Sequence, residues 1–419
     1  MDKVLLNILK NQIKPALGCT EPGAVAYGVA RARDLLNEEI ESLKITVDKN
    51  IFKNGMGVYI PGTREKGLTF ASALSIIIGQ AQYGLECLKE VDEESILKAK
   101  EIISRDIIDI EVKDDENEIY IDVEASSSNN KSRLIIKKNH INIVYESLND
   151  EILLDNSMDG PDSSALQLQI LDFSLDDLIN FTNSIPIEDL LFIQDGIDMN
   201  LDIAKSGLDN ELDAGIGMCF YESSNDHFSL AKAMTALASE ARMSGFLQPV
   251  MSSAGSGNHG LVAIIPISVI GKEINKNSEE IIRSVTLSHL ITIYVKARLG
   301  VLSPVCGCGV AAGTGCAAGI VHLMDGNKEQ IKQSINNMIA GVTGMICDGA
   351  KIGCAYKLAI SVDSAKDAAL MALNNVKIPC DNGILGCSPE KTIENLGLLS
   401  NLGMSNTDST ILDIMVDKC

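Results

Sequence analysis

Ile110-Glu111-Val112, Tyr120-Ile121-Asp122-Val123, Leu134-Ile135-Ile136 and Ile141-Asn142-Ile143-Val144 are four short runs of strand character within residues 107–148. Their near-alternation and β-branched content predict strands with one face on a core, and their close succession predicts an antiparallel sheet with helices on one side. Upstream, Leu43-Lys44-Ile45-Thr46-Val47 alternates in the same way, and residues 40–66 end in Asn54-Gly55-Met56-Gly57 and Pro61-Gly62-Thr63. Residues 1–37 read as helical, interrupted at Gly18-Cys19-Thr20-Glu21-Pro22, with Thr20 as the expected cap and Pro22 in the first turn of the second helix. Helices are expected at 68–89 and 93–105. Downstream, the composition turns polar over Asn149–Ser164, and beyond it nearly everything reads helical: 174–184, 187–206, 227–244, 258–273, 278–298, 305–323, 327–346, 354–374 and 390–401. Gly and Ala at many contact positions predict tight helix packing. The expected class is therefore α+β. Residues 1–155 form a mixed α/β domain with an antiparallel sheet, its first helices free to pack on the helical part, and residues 156–419 form an all-α domain.

The 419 residues carry 35 basic against 57 acidic side chains, a net charge of −22, which repels nucleic acid and anionic membranes; neither is an expected partner. Met1–Lys10 reads as a short amphipathic helix, because charges interrupt it before a signal-peptide core can form. Eleven cysteines in a chain read as leaderless place it in a reducing cytoplasm, where thiols serve metals or chemistry. Leu299–Met324 lacks Asp, Glu, Lys and Arg, but its Gly, Ala, Cys and Ser with Pro304 suit a close-packed buried helix better than a membrane span.

Cys347-Asp348-Gly349-Ala350-Lys351-Ile352-Gly353-Cys354, with Cys306-Gly307-Cys308 some forty residues earlier, carries the chemistry. On a continuous helix the two outer sulfurs would lie about 10.5 Å apart, but Asp348-Gly349 and Gly353 break a helix and let the span fold into a loop. The spacing matches neither the Cys pairs of structural zinc nor the tight run of a ferredoxin. Cys308, Cys347 and Cys354 are the expected ligands, with Cys306 as rival to Cys308. Taken singly, each would pass for a buried small hydrophobe; three in Gly-rich surroundings favour a metal. Three ligands on a four-iron cluster leave one iron open, a Lewis acid suited to catalysis. Lys351 is expected either to steady the cluster or a substrate carboxylate, or to be an ordinary loop lysine. Ser252-Ser253-Ala254-Gly255-Ser256-Gly257-Asn258-His259-Gly260 opens an apolar helix and predicts an anion site, in preference to a plain capped turn. Cys19, at a helix start, is expected to have a lowered pKa and to serve as base or nucleophile.

Together these stretches resemble the L-cysteine desulfidase family, relatives of the iron–sulfur L-serine dehydratases. The resemblance runs through Lys14–Pro22, Lys53-Asn54-Gly55-Met56-Gly57, Ile60–Thr63, Ala241-Arg242-Met243, Gly255–Asn258, Cys306–Cys308 and Thr343–Lys351, in order along nearly the whole chain. It implies an oxygen-sensitive [4Fe-4S] cluster on three cysteines, no pyridoxal phosphate, and β-elimination of L-cysteine to pyruvate, ammonia and hydrogen sulfide. By position it makes Cys19 the base that removes the α-proton and Cys347 and Cys354 cluster ligands; the dehydratase relatives point to Cys308 as the third. The implied substrate-binding residues are Asn54, Met56, Gly57, Gly255, Ser256, Gly257, Asn258 and Lys351. A small amino acid is the expected partner, and a homodimer the expected assembly. Cys19 and the cluster cysteines lie at opposite ends of the chain, so the site is expected between the two parts. Cys419 is read as an incidental surface cysteine, against a role at the open iron. Three rivals stand beside this reading. One is a pyridoxal-phosphate lyase using Ser256–Gly260 and Lys232, one an iron–sulfur L-serine dehydratase, and one a non-enzymatic iron–sulfur sensor.

Overall fold

The computed structural model describes residues 1–419 except 114, 115, 117, 150, 157–164, 418 and 419. The polar stretch at 149–164, read as the boundary between the two parts, falls largely outside these residues, and Cys419 wholly. The strands are β1 (Pro15–Leu17), β2 (Ser42–Asp48), β3 (Ile108–Lys113), β4 (Tyr120–Ser126), β5 (Lys131–Lys137), β6 (Ile143–Leu148), β7 (Glu151–Asp155) and β8 (Pro249–Met251). Six of them form one sheet in the order β3-β2-β4-β5-β6-β7. The expected antiparallel pattern holds for four of its five pairings; β3 instead runs parallel to β2, Leu43 opposite Ile108. Three helices, Lys49–Gly55, Gly67–Ile78 and Glu93–Ser104, lie between β2 and β3, a crossover long enough to return the chain in the same direction. The result is α+β, with a mixed sheet in the first half and helices in the second.

The alternation of these strands builds the first core. Ile45 and Val47 of β2, Ile121 and Val123 of β4, and Leu134 and Ile136 of β5 are buried on one face, against Ala24, Val25, Val29 and Ala32 of the helix Thr20–Leu36. A second, larger core fills the helical part. The first helix, Asp2–Gln12, belongs to it through Leu5, Ile8 and Leu9, whose spacing gives one apolar stripe. From Ser303 on, the uncharged stretch after Leu299 is largely interior: a π-helical turn at Gly307–Ala312 leads into the buried helix Gly313–Leu323, which packs along Ser278–Leu299. No helix among the described residues is long and apolar enough to cross a membrane. The helix expected over 327–346 stops at Val342, because Val305 and Ile346 pair as an antiparallel bridge.

Two short connections fasten the segment before Cys19 to the middle of the chain. β1 pairs antiparallel with β8, Pro15 opposite Met251 and Leu17 opposite Pro249. Beyond the pair, Ser252 bonds Lys14 and the Ala254 amide donates to Gln12. The strand ends therefore deliver Gly18-Cys19 beside the Gly-rich loop that begins at Ser252.

Candidate active site

A cavity of about 360 Å³ opens where the helix starts and loops converge. Cys19, Cys306, Cys308, Cys347 and Cys354 all line it, as do Asn54, Gly255, Ser256 and Asn258. Of the residues singled out from sequence, Met56, Gly57, Gly257 and Lys351 do not line it. Met56 closes the helix Lys49–Gly55. Lys351 turns back on its own loop, its Nζ donating to the Asp348 backbone oxygen at 2.6 Å and pairing with the Asp348 carboxylate. Gly257 acts from behind: a Cβ there would lie 2.6 Å from Arg242 Nε, so only glycine lets the guanidinium pass. Lys232 is also elsewhere, bonded to Asp363 at 2.6 Å and seated over the Phe220 ring.

The thiols are set by backbone pairing. The Cys306 amide donates to Met345 O at 2.8 Å and the Cys347 amide to Pro304 O at 2.7 Å, which lays the two cysteine segments side by side. Cys308 follows in the π-helical turn, a local widening that re-aims side chains. Cys354 opens the helix Cys354–Leu373. Between Cys347 and Cys354 the chain is a loop, as its helix breakers predict. Gly349 adopts φ 91° there, and a Cβ on it would meet Lys53 O at 2.5 Å. Cys308 and the Gly309 amide donate to Cys306 and pull its pKa down to about 6, while burial pushes Cys354 up to about 11. Among the described residues no three Cys, His, Asp or Glu side chains sit close enough to share a single metal ion. Four thiols spread around one cavity suit a larger guest, and thiols are the donors that iron–sulfur clusters take. Lys296 and, each paired with an aspartate, Lys53 and Lys357 line the same cavity. Burial lowers Lys296 to about 8, partly offset by Cys347, Cys308 and Cys306.

On the facing side, Cys19 is the N-cap of the helix Thr20–Leu36, one residue before the expected cap Thr20, and no side chain caps that helix. Its thiol donates to Glu21 Oε2 at 2.9 Å, and Asn54 Nδ2 donates to Glu21 Oε1 at 2.8 Å. The expected lowering of the Cys19 pKa is reversed. Burial first, then the Glu21 charge, raise it well above the ordinary thiol value and outweigh the helix dipole and Arg242. Arg242 clamps the two halves of this wall, donating to Gly18 O and, at 3.0 Å, to Asn258 Oδ1. The helix Gly257–Glu273 has Ser256 as N-cap with no side-chain cap, leaving its first N–H groups beside Arg242 Nε, itself buried with no partner. His259 donates its Nδ1 proton to Ser253 O at 3.0 Å, and burial holds the ring neutral with a pKa of about 3.

Glu21, Lys53, Lys296 and the hairpin tip Lys138–Ile141 were given no site role from sequence, although Glu21 and Lys53 lie within stretches that carry the resemblance. A lysine inside an apolar helical run, as in Ile293-Tyr294-Val295-Lys296, was the available signal for one of them.

Residues 82–413 match the family described as Serine dehydratase alpha chain. A UPF0597 protein of Clostridium tetani is 54% identical over 417 residues, covering 99% of both chains. Another, from Caldanaerobacter subterraneus, is 51% identical and covers 99% of this chain and 98% of its own. The UPF0597 protein of Clostridioides difficile is 40% identical over 422 residues. The chain belongs to the serine dehydratase alpha chain family.

Proposed function

We propose that this protein is an L-cysteine desulfidase: a pyridoxal-phosphate-independent lyase that uses an iron–sulfur cluster to convert L-cysteine and water into pyruvate, ammonia and hydrogen sulfide. The observation that carries the reading is the convergence of Cys19 with Cys306, Cys308, Cys347 and Cys354 on one cavity, although they lie at opposite ends of the chain. Cys308, Cys347 and Cys354 would hold a [4Fe-4S] cluster, with Cys306 as the alternative to Cys308. When bound, the cluster supplies an open Lewis-acid iron for the departing sulfur.

The chain's own groups perform the rest. Arg242, the free amides at the start of Gly257–Glu273, and Ser256 receive the substrate carboxylate. The Cys19 sulfur takes the α-proton as its own thiol proton moves to Glu21 along their existing hydrogen bond, so no free thiolate has to form first. The electron pair of the broken Cα–H bond forms the Cα=Cβ bond as the Cβ–S bond breaks, so sulfide leaves with the bonding pair. The released aminoacrylate tautomerises and hydrolyses to pyruvate and ammonia. Burial of Cys19 and Glu21 keeps bulk water from competing for either proton.

The family description favours a second substrate, L-serine, with water as leaving group. The test is anaerobic reconstitution with iron and sulfide, without pyridoxal phosphate, followed by parallel assays on both amino acids. Equal sulfide and pyruvate from L-cysteine, lost on exposure to air, are expected. Pyruvate from L-serine alone overturns the desulfidase reading in favour of a dehydratase.

A further inference from the structure

The tip of the β5–β6 hairpin, Lys138-Asn139-His140-Ile141, leans from the sheet into the cavity wall. Lys138 takes a left-handed backbone there, φ 66°, and its amide donates to Ile119 O, which anchors the tip on the sheet. His140 Nε2 is buried with no hydrogen-bond partner among the described residues. A buried polar atom left unpaired carries a desolvation cost that a bound ligand removes. Burial lowers the His140 pKa and keeps the ring neutral, partly offset by the charge of Glu21, which lines the same cavity.

Two carboxylates line this cavity, and their situations differ. Asp348 is paired with Lys351 and Lys357. Glu21 has no Lys or Arg in ion-pair contact among the described residues; its oxygens accept only from the Cys19 thiol and the Asn54 amide. The lining also carries six cations, Arg242, Lys14, Lys53, Lys138, Lys296 and Lys357, which leaves Glu21 as its one carboxylate without an ion-pair partner among the described residues. A guest that is cationic at one end and anionic at the other therefore has a single orientation available.

We propose that Glu21 and His140, one from the helix Thr20–Leu36 and the other from the hairpin tip, together form the recognition site for the α-ammonium group of the substrate. The inference rests on the reading of this cavity as the site of an amino-acid lyase, and specifies it: the ligand class is α-amino acids, and the corresponding acids without the amine are rejected. Glu21 in this role holds the ammonium beside Cys19, whose thiol is bonded to that same carboxylate. The sheet thereby contributes to chemistry otherwise built by helix starts, and the hairpin becomes the part of the sheet that senses ligand.

The test is calorimetric titration of the reconstituted protein with L-2-aminobutyrate and with butyrate. The first matches L-cysteine in shape without a leaving group, and the second differs from the first by the ammonium alone. Wild type is expected to prefer the amino acid by at least tenfold. In Glu21→Gln and His140→Leu that preference falls below threefold, with butyrate affinity unchanged within twofold, and His140→Gln, which retains an acceptor, restores it. A preference that survives either variant overturns the proposal, as does parallel loss of both ligands. Because neither ligand reacts, the result stands whether the enzyme turns over cysteine, serine or neither, and turnover failure is read separately in the product assay.

Discussion

Lys53 and Asp408 form an ion pair withdrawn from water, their side chains 1% and 7% exposed. Lys53 lies in the helix Lys49–Gly55 behind the cysteine loop, and its Nζ also donates to Cys347 O at 3.2 Å. Asp408 lies in the first turn of the helix Thr407–Val416, so the pair fastens the last helix to the site wall. Asp408→Asn keeps the shape and removes the counter-charge. At this burial no solvent discount applies, and stranding a buried ammonium costs about 3–5 kcal/mol. The neutral carbonyl of Cys347 compensates only a small part. Released locally, that cost corresponds to roughly 150- to 5,000-fold faster amide exchange in 407–416, down to the floor of an undocked helix. The assay is hydrogen exchange by mass spectrometry on cluster-free protein, which removes stabilisation by bound metal. Lys53→Met with Asp408→Leu, which removes both charges, is expected to recover most of the protection. A drop of less than fivefold in Asp408→Asn, or additive losses in the double variant, would refute the coupling.

Three further outcomes follow from the geometry. Asp48 caps the helix Lys49–Gly55 through Asn50 and Ile51 and also accepts from Tyr120, yet burial raises its pKa from 3.8 to about 6. The folded state therefore holds this proton more tightly than the unfolded chain, and stability falls by about 2 kcal/mol as pH rises from 4 to 6, out of about 3 kcal/mol over the whole titration. Urea titrations of Asp48→Asn, which still caps, should lack that slope; an identical slope contradicts the assignment. Gly257→Ala displaces Arg242 and should lower kcat/KM by roughly 10- to 150-fold, the range for a lost charged hydrogen bond, while wild-type kinetics would contradict the close approach. Iron analysis after reconstitution of single Ser variants should show loss of iron in those at Cys308, Cys347 and Cys354 and retention in Cys306→Ser; the reverse pattern assigns the ligand role to Cys306.

The strands were legible because each has one buried face: Ile45, Val47, Ile121 and Val123 are apolar at every second position. β7 was not, since Ile152 and Leu153 are adjacent apolar residues exposed at a sheet edge. The direction of β3 is set by the helices before it, which no local period records. β1 and β8 are three residues each and include Pro15 and Pro249, so their pairing is purely tertiary. The helix Thr407–Val416 was missed as well, being short and half exposed. At the site, the cysteines stood out as rare thiols among glycines. Their surroundings did not: Glu21, Arg242 and Lys53 are ordinary charged residues until the fold buries them. The same burial reverses the Cys19 pKa expected from its place at a helix start, because desolvation exceeds a dipole acting at one turn.

The central claim is that Cys19 and the cysteines of the 306–354 region act at one site. It is tested most directly by reconstituted Cys19→Ser, followed by absorbance and iron content while L-cysteine is added. Full iron, a ligand-induced spectral change as in wild type, and turnover reduced by at least 10²-fold, the range for loss of a positioned base, are predicted. Wild-type turnover in this variant would contradict the account, and so would an intact cluster whose spectrum no longer responds to L-cysteine.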